Sequence, residues 1–374
     1  MGLDSQRSKV ESILAAADIQ IDGDRPWDLR VYNNRFYDRL LAEGTLGAGE
    51  AYMDGWWECL ALDQLFYRAI RARLDQRLRT WSLIGDIVSA KFRNFQTPSR
   101  AFEVGRHHYD LGNDLFCAML DKRMIYSCGY WAEADNLDDA QAHKLDLIAR
   151  KLMLEPGMRV LDIGCGWGGA PRYFAECYEV EVVGITISEQ QLSLGREICA
   201  GFPVELRLQD YRELNEPFDR VYSIGMFEHV GPKNYRTYMN VVRRCLKDDG
   251  LFLLHTIGAD VTRSNTDPWI SKYIFPNGRL PSARQISRAA EGVMVLEDWH
   301  CFGPDYERTL MSWYENFEAA WPDLSENYDE RFRRAWHYYL LSSAGAFRSR
   351  GNELWQVVLS TGIDGKSYRP EGIR

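Results

Sequence analysis

Val160-Leu161-Asp162-Ile163-Gly164-Cys165-Gly166-Trp167-Gly168-Gly169 decides the fold. An apolar run ends in an aspartate, a glycine-rich turn follows, and a helical pattern begins at Ala170-Pro171-Arg172-Tyr173-Phe174-Ala175. That is the first strand, turn and helix of an open α/β sheet. Glycines at such a turn let backbone approach a ligand with no Cβ in the way. The spacing Gly164-x-Gly166-x-Gly168 differs from the Gly-x-Gly-x-x-Gly dinucleotide fingerprint, and no Lys-Ser/Thr pair follows as in a phosphate-binding P-loop.

Downstream the pattern alternates strictly. Strands are expected at 159–163, 180–184, 204–208, 219–224 and 251–256, with helices near 169–178, 189–200 and 235–246. Near-continuous apolar strands separated by helices mean a parallel, doubly wound sheet. Ligands of such sheets bind beyond the carboxyl ends of the strands. That rule selects Asp162 to Gly169, Thr186-Ile187-Ser188-Glu189-Gln190, Gln209-Asp210-Tyr211-Arg212, Gly225-Met226-Phe227-Glu228-His229 and His255-Thr256-Ile257-Gly258. An aromatic, Pro/Gly-broken insertion over 259–283 suits a lid or pocket wall. A sixth strand at 293–299, helices over 309–321 and 327–347, and a late strand at 354–359 close the chain.

Upstream, residues 1–85 read as a small helical domain, 86–103 as a linker and 104–374 as the sheet domain. Helices are expected over 10–17 and 34–42, and Gly44 to Gly49 as a glycine-punctuated loop. Ala51-Tyr52-Met53-Asp54-Gly55-Trp56-Trp57 is either a protein or lipid contact surface or the core of the helical unit. Between Arg68 and Arg100 eight basic and two acidic residues give a local charge of +6. With its interleaved apolar residues, this segment either lies on an anionic membrane surface or is a solvated helix face covering the domain junction. A long helix over 136–154 ends at Glu155-Pro156-Gly157.

The net charge of −9 argues against nucleic acid as the partner. No apolar run reaches membrane-spanning length and no signal peptide opens the chain. The eight cysteines are irregularly spaced without a Cys-x-x-Cys pair, so they read as reduced thiols of a cytosolic protein. His107 and His108 are neighbours that a helix would point to different faces, and no further ligand stands at a suitable spacing, so no metal is expected.

The form Asp-x-Gly-x-Gly-x-Gly is similar to the first motif of class I S-adenosylmethionine (SAM) methyltransferases. Further stretches extend the likeness along nearly the whole chain: 49–57, His108-Tyr109-Asp110-Leu111-Gly112-Asn113-Asp114-Leu115-Phe116, Tyr126-Ser127-Cys128, Leu161 to Gly169, 225–231 and Phe252-Leu253-Leu254-His255-Thr256-Ile257-Gly258. Through them the sequence closely resembles the bacterial cyclopropane-fatty-acyl-phospholipid synthases, and more distantly the mycolic-acid cyclopropane synthases.

The resemblance implies a class I methyltransferase sheet with an antiparallel last strand and an N-terminal lipid-associated domain. It implies methyl transfer from SAM to the cis double bond of a phospholipid acyl chain, then closure to a cyclopropane. Closure releases a proton, so a base must sit in an apolar pocket that keeps water from the cation. In this family the base looks to be a bound bicarbonate. The matching positions are Cys128, Glu228, His255, Ile257 and Tyr306, with Tyr306, His255 and the Cys128 and Ile257 backbone N–H groups as donors. Glu228 would accept the bicarbonate hydroxyl or orient His255. Cofactor positions carried over are Tyr126, Ser127, Asp162, Gly164, Cys165, Gly166, Trp167, Gly168, Gly169, Thr186, Ser188, Gln190, Gln191, Tyr211 and Arg212. The second strand ends without an acidic residue for the ribose hydroxyls, and Thr186 and Gln191 take that place. Ser343 stands where some relatives carry a cysteine, so no thiol is needed there. A homodimer at the inner face of the cytoplasmic membrane is also implied.

Two other functions remain in view. One is a methyltransferase that does not close a ring, and the other a lipid-binding protein with a silent cofactor fold. The joint presence of Glu228, His255 and Tyr306 weighs against the first, and the intact glycine turn against the second.

Overall fold

The computed structural model describes residues 3–74, 112–263, 265–362 and 367–372. The linker expected over 86–103, the basic run from 75 to 100 and the histidines 107 and 108 lie outside them. The described residues fall into two compact units, one drawn from within 1–94, 264–276 and 306–352, the other from within 95–263, 277–305 and 353–374. This differs from a single cut near residue 86. Long-range packing groups chain segments by the faces they bury, whatever their order in sequence.

The first unit holds the helices Leu3–Ala15, Arg35–Glu43, Thr45–Met53 and Leu62–Arg71 and a two-residue antiparallel pair, β1 (Arg30–Val31) with β2 (Trp57–Glu58). The stretch 44–49, expected as a loop, is helical from Thr45 onward. Its glycines serve close packing: a Cβ on Gly49 would stand 2.3 Å from the Trp269 ring. Tyr52 and Trp57 are buried, with ring centroids 5.1 Å apart. These two residues of the aromatic stretch are therefore core.

Residues 265–276, the middle of the insertion expected as a lid or pocket wall, pack into this same unit. Asp267 caps the helix Pro268–Tyr273, accepting from the N–H groups of Trp269 and Ile270. Trp269 is fully buried and donates its indole N–H to Met53 Sδ at 3.3 Å. From Tyr306 onward, the long helices Pro304–Leu324 and Glu330–Arg348 complete the unit.

The second unit is built on one sheet of β3 (Arg159–Ile163), β4 (Glu181–Thr186), β5 (Val204–Leu208), β6 (Phe218–Ile224), β7 (Leu246–Gly258), β8 (Val295–Cys301) and β9 (Glu353–Ser360). Its order is β5-β4-β3-β6-β7-β9-β8. The pairs β5/β4, β4/β3, β3/β6 and β6/β7 are parallel, and β9 runs antiparallel to both neighbours. The expected fold class holds, with the antiparallel last strand inserted before the sixth.

Successive strand residues point to opposite faces. Leu161, Val183, Val221 and Phe252 bury one face, and Val160, Val182, Tyr222 and Leu251 bury the other. Strand order reverses between β3 and β6, which opens a crevice at their carboxyl ends. No helix among the described residues is long and apolar enough to cross a membrane.

Candidate active site

The turn after β3 is held to β4 from the start, with the Gly164 and Cys165 N–H groups both donating to Ile185 O at 3.0 Å. Gly164, Gly166 and Gly168 all take left-handed backbone (φ 95°, 54° and 82°), which costs side-chain-bearing residues strain. A Cβ on Gly166 would meet nothing within 4 Å among the described residues, which leave that side of the turn open. Cys165 packs against Gly184, and Trp167 is buried, its indole N–H donating to Asn113 Oδ1 at 3.1 Å. Burial pushes the Asp162 carboxyl up to about 8, with the Lys144 charge pulling the other way. Its Oδ1 is buried and makes no hydrogen bond of normal geometry among the described residues, while the Tyr222 hydroxyl faces the carboxyl and lowers its pKa. A buried carboxyl beside an open glycine turn fits a ligand that carries its own donors.

At the end of β4 the Thr186 hydroxyl donates to Gln191 Oε1 at 2.8 Å. Ser188 caps the helix Glu189–Ile198, accepting from Gln191 N–H, while Gln190 is exposed. Thr186 and Gln191 therefore form one buried polar pair, and Ser188 holds it in place. After β5, Asp210 accepts from the Arg212 N–H at 2.9 Å and pairs with its guanidinium, which lies over the Tyr211 ring.

The loop Tyr126-Ser127-Cys128 is gripped from behind by the helix Leu137–Leu152. Gln141 donates to Ser127 O at 2.8 Å, and the fully buried Lys144 amine donates to Ser127 Oγ at 2.8 Å. Tyr126 stands edge-on to Phe116, which also touches the Trp167 ring. Burial pushes Lys144 down to about 7, and the charges of Asp121, Cys128 and Asp162 resist that shift. One amine thus lies within electrostatic reach of the glycine turn and of the aromatic loop.

Glu228 lies in the turn after β6, and His255 in the carboxyl-terminal part of β7. Glu228 Oε1 accepts from Ile257 N–H at 2.7 Å. That N–H, expected to donate to an anion, orients the Glu228 carboxylate instead. Ile257 follows His255 by two residues, so both side chains share a face of β7. Burial pushes Glu228 up to about 7, with the Ile257 N–H, its own N–H and the Thr256 hydroxyl pulling it back. Burial, then the positive charges of Lys144 and Lys151, push the His255 imidazole well below the usual histidine range. Glu228 Oε2 and His255 Nε2 are both buried without a hydrogen-bond partner among the described residues. An acceptor and a ring nitrogen left over at one sheet edge fit a small oxyanion that carries a hydroxyl. Cys128 is fully buried, its thiol directed to Gly129 O at 3.1 Å.

Tyr306 belongs to the first unit, where it stacks on Phe347 at 4.4 Å and meets the edge of Trp313. Gln141, Lys144 and Gln356 stand outside the residues expected from the sequence. The signal for two of them was there: Leu137, Gln141, Lys144, Ile148 and Lys151 follow the spacing of a buried helical stripe. Polar residues on such a stripe need partners in the core.

Lys144→Met removes both the anchor of Ser127 and a costly buried amine. SAM affinity at pH 7 is expected to fall about tenfold, as for the loss of one buried hydrogen-bond partner, read by calorimetry. The wild-type amine has a lowered folded-state pKa, so its penalty is full below about 7 and fades as pH rises toward the ordinary 10.5. The melting temperature of the variant should therefore exceed that of the wild type most at and below neutral pH. A variant with wild-type SAM affinity would separate Lys144 from the cofactor loop.

A family model described as mycolic acid cyclopropane synthetase matches residues 96–357. Cyclopropane-fatty-acyl-phospholipid synthase of Escherichia coli (strain K12) is 57% identical over 353 residues, covering 94% of this chain and 92% of the relative. Cyclopropane mycolic acid synthase 2 of Mycobacterium leprae is 34% identical over 286 residues, covering 69% of this chain and 93% of that protein. Among solved structures, the cyclopropane synthase MmaA2 from Mycobacterium tuberculosis matches with a TM-score of 0.66 at 32% identity, over 72% of this chain and all of that one. The mycolic acid cyclopropane synthase CmaA1 complexed with SAH and CTAB matches with a TM-score of 0.65 at 32% identity, over 70% of this chain and 98% of that one.

Proposed function

Because this chain belongs to the cyclopropane synthase family of SAM-dependent methyltransferases, we propose that it converts a cis double bond in a phospholipid acyl chain to a cyclopropane. Bound at the glycine turn, SAM supplies an electrophilic methyl group, and bicarbonate bound beside Glu228 and His255 supplies the base for the proton that ring closure releases. The observation that carries this reading is the pair of orphaned buried atoms, Glu228 Oε2 and His255 Nε2, on the sheet edge that also bears the glycine turn. Methyl transfer to nitrogen or oxygen needs no such anion site.

The residues divide the work. Asp162, Thr186, Gln191 and the turn backbone hold and orient the cofactor. Glu228, ionised, accepts a hydrogen from the anion's hydroxyl, and its charge favours a cation passing near it. His255 donates from Nε2. The ring of Phe302, edge-on to His255 at 5.9 Å and itself buried, helps keep water from the acyl cation. Cys128 and Tyr306 are assigned to the same anion from the family resemblance. Work at the inner face of the cytoplasmic membrane, where the substrate lies, and a homodimer belong to the same proposal.

The test is incubation with SAM, bicarbonate and vesicles of unsaturated phospholipid, followed by mass analysis of the acyl chains. Gain of one methylene with loss of the double bond is expected. A methyl branch with the double bond retained would replace the proposal with simple olefin methylation.

A further inference from the structure

We propose that Gln356 is a positioning residue that holds His255 in the tautomer with its proton on Nε2. The inference deepens the proposed function, because only that tautomer can donate to an anion at the orphaned nitrogen. It begins with sheet register. β9 runs antiparallel to β7 and sets Gln356 directly opposite His255. Directly opposed residues on one face stand close enough for their side chains to meet.

They do meet: Gln356 Nε2 lies 3.4 Å from His255 Nδ1. Both residues are buried, at 0% and 1% exposure, so no bulk water competes for that nitrogen. A neutral imidazole carries a single N–H, and the partner of one nitrogen decides where the proton sits. An amide NH2 facing Nδ1 requires a lone pair there, which sends the proton to Nε2. Nε2 is the nitrogen left without a partner. Charge reinforces the choice, since burial and the nearby Lys144 and Lys151 keep the ring neutral and exclude a doubly protonated form.

Gln356 carries a cost that packing does not explain. Its Oε1 is buried without a hydrogen-bond partner among the described residues, in a strand that also buries Leu354, Trp355, Val357, Val358, Leu359 and Ser360. A leucine would fill the space without an unsatisfied carbonyl. An unsatisfied buried group in a native core calls for a functional reason, and the tautomer of His255 provides one.

The experiment is long-range proton–nitrogen NMR on ligand-free protein labelled with 15N-histidine, with the His255 signals assigned by their loss in His255→Asn. Wild type is expected to show a protonated Nε2 and a bare Nδ1. Gln356→Leu, a similar volume without the donor, should shift His255 to a tautomer mixture. It should also weaken bicarbonate binding about tenfold, as for a lost buried partner, with SAM affinity unchanged. A wild-type proton on Nδ1 overturns the proposal, and so does a Gln356→Leu protein whose His255 signals match wild type. If the variant fails to fold, the wild-type spectrum alone decides. A bare Nδ1 that becomes mixed in the variant, in a protein that binds no bicarbonate, upholds Gln356 as the tautomer-setting residue and removes the anion reading instead.

Discussion

Glu228→Gln is expected to abolish ring formation, by a factor on the order of 10²–10⁴ for the loss of a general acid–base partner, while leaving SAM affinity within about threefold. The variant keeps an oxygen for the Ile257 N–H, so the local fold survives. It loses the acceptor at Oε2, where an NH2 group cannot take a hydrogen from an anion's hydroxyl. The pH profile should follow. Burial pushes the wild-type carboxyl up to about 7, so the competent carboxylate form grows as pH rises through that value. At fixed bicarbonate, wild-type turnover should rise over the same range, and the residual turnover of the variant should not. Turnover within tenfold of wild type, with an unchanged profile, would remove Glu228 from the anion site.

Gly169→Ala is expected to cost about 3 kcal/mol of stability, the upper end for an overpacked core. A Cβ there would stand 1.9 Å from the carbonyl oxygen of Arg123. That carbonyl is backbone and cannot swing aside. The adjacent turn is itself pinned, because Asp121 accepts from the N–H groups of Arg123 and Ile125. Any retreat therefore drags the Tyr126-Ser127-Cys128 loop with it, and SAM affinity should fall with stability. Gly166→Ala is the informative contrast. Its new Cβ meets no atom of the described residues, so the cost is about 1–2 kcal/mol of left-handed strain, while the methyl fills the side left open for the ligand. Calorimetric melting and SAM titration of the two variants should separate a lost fold from a blocked site. Equal SAM affinity in wild type and Gly166→Ala would place the ligand elsewhere.

Much of the sheet domain is legible in the chain because its signals are local. β3 and β5 and the helix Gly169–Tyr178 occupy the expected residues, since apolar runs broken by glycine turns need no distant partner to be read. Gly44 to Gly49 misleads for the opposite reason. Glycine reads locally as a loop signal, but Gly49 lies in a helix and makes room for Trp269 from a distant segment. The insertion around Trp269 likewise depends on distant contacts, because an aromatic, Pro/Gly-broken stretch looks the same whether it lines a pocket or fills a core. Lys144 was readable as a polar residue on an apolar stripe, but its partner Ser127 was not. Gln356 carries no local signal of a role, being one polar residue within a strand. That it faces His255 follows only from the register of β9 against β7.

By itself the sequence determined the alternating sheet, the glycine turn at the end of its first strand, and the residue types gathered at the carboxyl edge. Each of these depends on steric and hydrophobic preferences that act over a few neighbouring residues. The tertiary structure alone decided which atoms at that edge are already spent and which are left over. Ile257 N–H is taken by Glu228, the Lys144 amine by Ser127, and His255 Nδ1 by Gln356, while Glu228 Oε2 and His255 Nε2 have no partner among the described residues. Hydrogen bonds are made over about 3 Å, and only the folded chain brings strands from distant parts of the sequence to that distance.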